Sequence, residues 1–277
     1  MTIVADLHVH TQASDGLLSP AAVVELAQAK GLSAVAITDH DTVAGVQEAQ
    51  SAGRRLGIKV VPGIELSTEY QDQEIHILGY FIDPQSALLL QLLQQLRESR
   101  YERIKKMVAI LRNLGYRIDI QEVSKKAGNA APGRPHVARV LVEKGYLKTV
   151  TEVFTSLLGR GLPAYVERFK LTPAHAIEAI HNAGGIACWA HPGLVDNDEL
   201  LPLLTAAGLQ GLEVYHPDHD SQQEKKYLQL AHNYQLFIAG GSDFHGAEEG
   251  RERELAVRGL NSEAYHRFLA SYENAHN

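Results

Sequence analysis

The residues in this chain that could do chemistry are imidazoles and carboxylates. His8 and His10 come first, in a strand-like stretch where i and i+2 spacing puts both rings on one face. Asp15 follows in the next loop, then Asp39 and His40, Glu65, His76, His191, His216, and the pair Asp243 and His245. Nine of these are strong metal donors: His8, His10, Asp15, His40, Glu65, His76, His191, Asp243 and His245. The set mixes imidazole nitrogen with carboxylate oxygen and contains no thiolate, which suits Mn, Fe or Zn and differs from a Cys-rich structural zinc site. Nine donors are too many for one ion and suit two or three, with Glu65 bridging. Paired divalent ions are the usual apparatus of phosphate-ester hydrolysis, where they neutralise the ester, lower the pKa of an attacking water and stabilise the leaving oxygen.

Donors scattered over more than two hundred positions need a scaffold that delivers them to one place. Seven short runs rich in Val, Ile, Ala and Leu read as strands: Ile3–Leu7, Ala34–Ile37, Lys59–Ile64, Glu74–Phe81, Ile186–Ala190, Gly211–Tyr215 and Leu236–Ala239. Several are almost wholly apolar, as strands buried on both faces are. Helical stretches lie between most of them. Ser19-Pro20 and Thr172-Pro173 read as cap plus first-turn proline, and Val43–Leu56 and Ser221–His232 complete the set. Tyr70–Gln73 separates two strand-like halves and reads as a hairpin turn. This pattern predicts an α/β fold with a barrel or doubly wound sheet. In that arrangement nearly every strand delivers a His, Asp or Glu at or just past its C-terminal end, the edge where such folds build active sites.

Residues 99–163 depart from the alternation. A long amphipathic stretch, Ser86–Leu114, leads into helical runs Ile120–Ala127 and Pro135–Lys144 with no strand between them. The expected organisation is a barrel formed by 1–98 and 164–277 and interrupted by a helical insertion at 99–163.

Composition narrows the function. The formal net charge of −7 argues against a duplex-DNA partner, which a basic surface would serve, but leaves room for a small anionic substrate held by cations. The single cysteine, Cys188, excludes an internal disulfide and fits a reducing compartment. No apolar run reaches membrane-spanning length, and no basic start precedes an apolar block, so the expected location is the cytoplasm without a membrane partner.

The motifs Asp6-Leu-His-Val-His-Thr11 with Asp15-Gly16, Thr38-Asp-His-Asp-Thr42, Pro62-Gly-Ile-Glu65, His76, Ala190-His-Pro192 and Gly241-Ser-Asp-Phe-His245 resemble the polymerase and histidinol phosphatase (PHP) family. The likeness covers about 1–85 and 164–250. It implies a distorted seven-stranded (β/α)7 barrel with three divalent metal ions, most simply manganese, and phosphoesterase activity. It implies one ion on His8, His10, Glu65 and Asp243, a second on Glu65, His76 and His191, and a third on Asp15, His40 and His245. The insertion is similar to that of the subgroup acting on nucleoside 3',5'-bisphosphates and short 5'-phosphorylated RNA, where it caps the barrel mouth and supplies phosphate ligands. The matching residues are Arg134 and His136 in Pro132-Gly-Arg-Pro-His136. A guanidinium at a helix N-terminus is a natural phosphate cradle.

The expected reaction is therefore hydrolysis of the 3' phosphate of a nucleoside 3',5'-bisphosphate, with 5'-to-3' exoribonuclease action on short RNA as its extension. Metal-bound water is the expected nucleophile. Asp39, which precedes His40 and is placed to orient its imidazole, and His216, ending a strand, are the candidate assistants, and His216 is also a candidate phosphate ligand. Two alternatives stay open: a small-metabolite phosphatase of the histidinol phosphate type, and a metal-binding regulatory module without turnover. His175, His181, His232, His266 and His276 read as surface or packing residues, and no P-loop or G-x-G-x-x-G occurs.

Overall fold

The computed structural model describes residues 2–128, 132–167, 171–246 and 253–275; His276 lies outside them. Seven strands form one sheet in sequence order: β1 (Ala5–Asp6), β2 (Ala34–Ile37), β3 (Lys59–Tyr70), β4 (Gln73–Tyr80), β5 (Ile186–Trp189), β6 (Gly211–Tyr215) and β7 (Phe237–Gly240). Leu7 N–H donates to Gly240 O at 3.1 Å and His10 N–H to Phe244 O at 2.9 Å, so β7 returns beside the first strand and the sheet nearly closes into a barrel. Pairing is parallel except around β4, which runs antiparallel to both β3 and β5.

That hairpin changes one expectation. Glu65 does not end its strand: β3 runs on to Tyr70, because Leu66, Thr68 and their neighbours pair with β4 after the parallel register with β2 ends at Pro62. His76 lies within β4, opposite Ser67. Since β4 runs backwards, its first half reaches the edge where the parallel strands finish, and His76 joins the other donors there.

The helices around the sheet are α1 (Pro20–Ala29), α2 (Val46–Leu56), α7 (Pro173–Asn182), α8 (Leu200–Ala206), α9 (Ser221–Asn233) and α10 (Ser262–Ala275). Ser19 and Thr172 cap α1 and α7 through their hydroxyls, as their sequences predict. The seven-residue α8 was not legible, because Leu200–Leu204 has no polar face to mark a helical period. Val23, Val24, Val35, Ile37, Ala49 and Ala52 pack β2 against α1 and α2. Leu7, Leu78, Tyr80, Ile186 and Cys188 pack with Tyr265 and Phe268 of α10. These fully buried apolar contacts hold the strand ends, and so the donors, in register.

Packing divides the chain into two compact units, Met1–Leu92 with Lys170–Asn277, and Leu93–Phe169. The second is helical: most of α3 (Ala87–Asn113), with α4 (Ile120–Ala127), α5 (Arg134–Glu143), α6 (Val150–Val153) and a π-turn at Phe154–Leu158, around Ile104, Met107, Leu111, Val137, Leu141 and Leu158. The sequence reading missed α6 and the π-turn, and α5 begins one residue earlier than expected, at Arg134.

Among the described residues no helix is long and apolar enough to cross a membrane.

Candidate metal centre

His8 and His10 lie just past β1, His40 past β2, His191 past β5, and Asp243 and His245 past β7; Glu65 and His76 come from the β3–β4 hairpin. Glu65 is the hub. Its Oε2 lies 3.2 Å from His8 Nε2, 3.2 Å from His10 Nε2 and 3.2 Å from His40 Nδ1. Its Oε1 lies 2.8 Å from His76 Nδ1 and 3.1 Å from His191 Nε2. Asp243 Oδ1 faces His10 Nε2 at 3.1 Å and His8 Nε2 at 3.5 Å, and Asp15 Oδ1 faces His245 Nε2 at 3.3 Å. All nine sequence-predicted donors thus meet at one edge of the barrel. They open on a cleft of ≈ 270 Å³ lined by His40, Glu65, His76, His191, Leu194, Asp243, His245 and Arg253.

The model of the PHP domain family matches residues 6–170. The chain belongs to the PHP family. A 3',5'-nucleoside bisphosphate phosphatase of Chromobacterium violaceum is 36% identical over 251 residues, covering 88% of this chain and 88% of that protein. The 5'-3' exoribonuclease Rnm of Escherichia coli is 35% identical over 257 residues, covering 88% of this chain and 85% of that protein. A solved structure assigned as a metal-dependent phosphoesterase, from Bifidobacterium adolescentis, superposes with a TM-score of 0.88 at 31% identity, covering 96% of each chain.

The PHP donors fit divalent ions on the evidence of their own hydrogen bonding. His8 Nε2, both ring nitrogens of His10, His40 Nδ1, Glu65 Oε2 and His191 Nδ1 are buried without a hydrogen-bond partner among the described residues. Buried polar atoms are rarely left so, and a cluster of them aimed at shared points is what a metal site looks like in protein atoms alone. The donor atoms of His8, His10 and Asp243 lie within 4.8 Å of one another, as do those of His10, Asp15, His40 and His245, and those of His40, Glu65 and His76.

The backbone is bent to achieve this. His191 has φ 30° and Asp243 φ 50°, both in the left-handed region. Such conformations cost on the order of 1–3 kcal/mol each and persist where the surroundings over-determine them. At His191 part of that constraint is its own N–H, which donates to Glu213 Oε2 at 2.7 Å. Gly241 meets the strand that carries His8 so closely that a Cβ there would stand 2.3 Å from His8 N.

Two carboxylates outside the donor set hold it in place. Glu213, fully buried in β6, accepts from His8 Nδ1 at 3.0 Å, which keeps the proton on that nitrogen and leaves Nε2 for an ion. Asp6 accepts from Ser242 N–H at 2.9 Å, Ser242 Oγ at 2.6 Å and Ala256 N–H at 2.9 Å, tying β1 to the loop that carries Asp243; burial raises its pKa to about 6. The sequence reading missed Glu213. The available signal was a lone glutamate inside the apolar run Gly211–Tyr215, which nothing local explains.

One sequence expectation needs correction. Asp39 does not orient an imidazole: it accepts from Thr11 N–H at 2.7 Å, Thr11 Oγ1 at 2.8 Å and Ser14 Oγ at 2.6 Å, so it fixes the loop that carries Asp15. His216 is fully buried, its Nδ1 accepts from Asp218 N–H at 3.2 Å, and its Nε2 faces Asp243 Oδ2 at 3.5 Å. In the helical unit, Arg134 is the first residue of α5 and lies 5.5 Å from the Phe154 ring, and His136 is buried with Nδ1 accepting from Gly133 N–H at 3.0 Å.

Without ions the imidazoles must share protons. Burial opposes charge on His10, but the Asp243 and Glu65 carboxylates outweigh it and raise its pKa to about 9. Burial likewise opposes charge on His76, and Glu65 with Glu74 raises it to about 10. Burial, reinforced by neighbouring imidazoles, lowers His40 to about 4 despite Glu65. A raised folded-state pKa gives stability that is complete below the unfolded value and is lost as pH rises through the folded one. The metal-free protein should therefore lose stability as pH climbs from about 6.5 to about 10, whereas ions hold the same rings neutral and flatten the curve. Melting temperatures of both forms across that range check this; parallel curves would refute it.

Proposed function

We propose that this chain is a metal-dependent phosphoesterase that hydrolyses the 3' phosphate of nucleoside 3',5'-bisphosphates, and that the same site removes nucleotides from the 5' end of short 5'-phosphorylated RNA. The observation that carries the reading is the convergence of nine N/O donors at one edge of the barrel, five of them imidazoles set around Glu65, in a chain about a third identical over most of its length to a bisphosphate phosphatase and a 5'-3' exoribonuclease. Both reactions break a P–O bond at the 3' phosphorus of a 5'-phosphorylated nucleotide. They differ only in what that phosphorus carries beyond the bond.

His8, His10, Glu65 and Asp243 would hold one ion, Glu65, His76 and His191 a second, and Asp15, His40 and His245 a third. Manganese suits this thiolate-free set, as do iron and zinc. When bound, the ions supply charge neutralisation at the phosphoryl oxygens and a water of lowered pKa. Glu65 offers one oxygen to each side of the site, so it sets the spacing of the donors. Glu213 fixes the His8 tautomer, and Asp6 and Asp39 hold the two loops whose side chains must not drift. Arg134, with His136 beside it, is the proposed ligand of the 5' phosphate, a guanidinium being the residue type that grips it bidentately.

The test is product release from adenosine 3',5'-bisphosphate and from a 5'-phosphorylated RNA dinucleotide, with added manganese and with chelator. The expected result is AMP from both, abolished by chelator. AMP from the bisphosphate alone would leave a dedicated phosphatase. Turnover of neither, with hydrolysis of histidinol phosphate, would replace this reading by the small-metabolite one. In the same assay Arg134→Ala should weaken 5'-phosphorylated substrates far more than their 5'-hydroxyl counterparts; equal losses would remove Arg134 from the substrate site.

A further inference from the structure

Arg253 is the part of the cleft that the donor set leaves unused. It is the one arginine or lysine on the cleft lining among the described residues. Its Nη1 donates to Asp243 Oδ2 and its Nη2 to Asp218 Oδ2, so the guanidinium joins the loops that follow β6 and β7. Asp243 is thereby divided. Oδ1 faces the imidazoles of His10 and His8, and Oδ2 faces the guanidinium. Asp218 is different in kind. Its side chain is 39% exposed, and Asp218 belongs to none of the donor groups among the described residues; apart from this pair its carboxylate comes within 4.0 Å of His216 Nδ1, to which its N–H donates at 3.2 Å.

A guanidinium carries five N–H donors in a rigid fork, and the two carboxylates engage only two of its nitrogens. The cleft also has to accept a phosphate ester bearing up to two negative charges. Asp243 would share its charge with any divalent ion it holds, which would leave the guanidinium of Arg253 available to a phosphoryl oxygen in the cleft. Arginine is favoured for that task because its planar fork matches phosphate geometry.

We propose that Arg253 contacts the phosphoryl group being hydrolysed, donating to an oxygen that the donor-held ions do not cover, and that Asp218 competes with that oxygen for the guanidinium. The inference rests on the phosphoesterase reading above. It adds to the cleft a phosphate ligand on the scissile side of the substrate. The rival account is an ion pair that only ties two loops and steadies Asp243 for metal.

Orthophosphate titrated by calorimetry into manganese-loaded protein separates the two, with bound metal counted by mass spectrometry. Arg253→Gln should lose about tenfold to a hundredfold in phosphate affinity while its metal content stays that of the wild type. Arg253→Lys keeps the charge without the fork and should recover only part of the loss. Asp218→Asn should bind phosphate more tightly than the wild type, which a loop-tying role would not produce. Unchanged phosphate affinity in Arg253→Gln, or a loss that follows a loss of metal, would overturn the proposal. If phosphate binding depends on Arg253 but neither nucleotide is turned over, the function reading fails and the phosphate contact stands. If both nucleotides are turned over equally by wild type and Arg253→Gln, Arg253 alone falls.

Discussion

Glu65→Ala should lower phosphoester turnover by about a thousandfold or more, with no rescue by excess manganese. The two oxygens of this one carboxylate stand 2.8–3.2 Å from five imidazole nitrogens, those of His8, His10, His40, His76 and His191. Removing it would take away the proposed shared ligand and leave like-charged or desolvated rings facing each other. Several kcal/mol of transition-state stabilisation come from bound ions in such sites, and each 1.36 kcal/mol is a factor of about ten in rate. Metal content should fall in parallel. Glu65→Gln keeps the shape but not the charge and should fall between the two. A Glu65→Ala protein that keeps both its ions and its turnover would end the bridging role assigned here.

Glu213→Gln should weaken metal binding by about tenfold to a hundredfold and leave turnover largely intact once metal is saturating. Glu213 sits in no donor group, yet it receives the His8 Nδ1 proton, at 3.0 Å from Oε1 and 3.2 Å from Oε2, and the His191 N–H on Oε2 at 2.7 Å. Burial pushes its pKa up, and His8 pulls it down by more, so the carboxylate stays charged. An amide is neutral and has a single acceptor oxygen, so the shorter Oε1 contact to His8 is replaced by an N–H donor or the charge that holds both groups is lost. The hold on the His8 tautomer and on the strained His191 weakens. Titrating metal while recording both affinity and saturated rate distinguishes this from a direct catalytic part, which would lower the saturated rate instead. The exposure of the effect through metal, not through substrate, is the point of the experiment.

Much of this site was readable from the chain alone. Strands β2 and β6 match their sequence-derived limits, and the Ser19-Pro20 and Thr172-Pro173 helix starts are where cap chemistry puts them. Such features depend on neighbours within a few residues. The donors were readable for a similar reason: a histidine or carboxylate at the end of an apolar run announces itself by type and place, as His191 does after Ile186–Ala190. Asp39 shows the limit of that reasoning. Adjacency to His40 suggested a partner, but side chains of neighbouring residues in extended chain point apart, and Asp39 turns instead to Thr11 and Ser14.

By itself the sequence determined the chemical inventory, the alternation of strands and helices, the hairpin at Tyr70–Gln73 and, through its motifs, the PHP family. Only the tertiary structure decided which atoms meet. That Glu213 serves His8, 205 positions away, that β4 runs backwards to bring His76 beside Glu65, and that Arg253 reaches both Asp218 and Asp243 all depend on strand order and barrel closure. The physical reason is that covalent spacing constrains only a few residues on either side, whereas hydrogen bonds across a closing sheet join positions whose separation along the chain leaves no local mark.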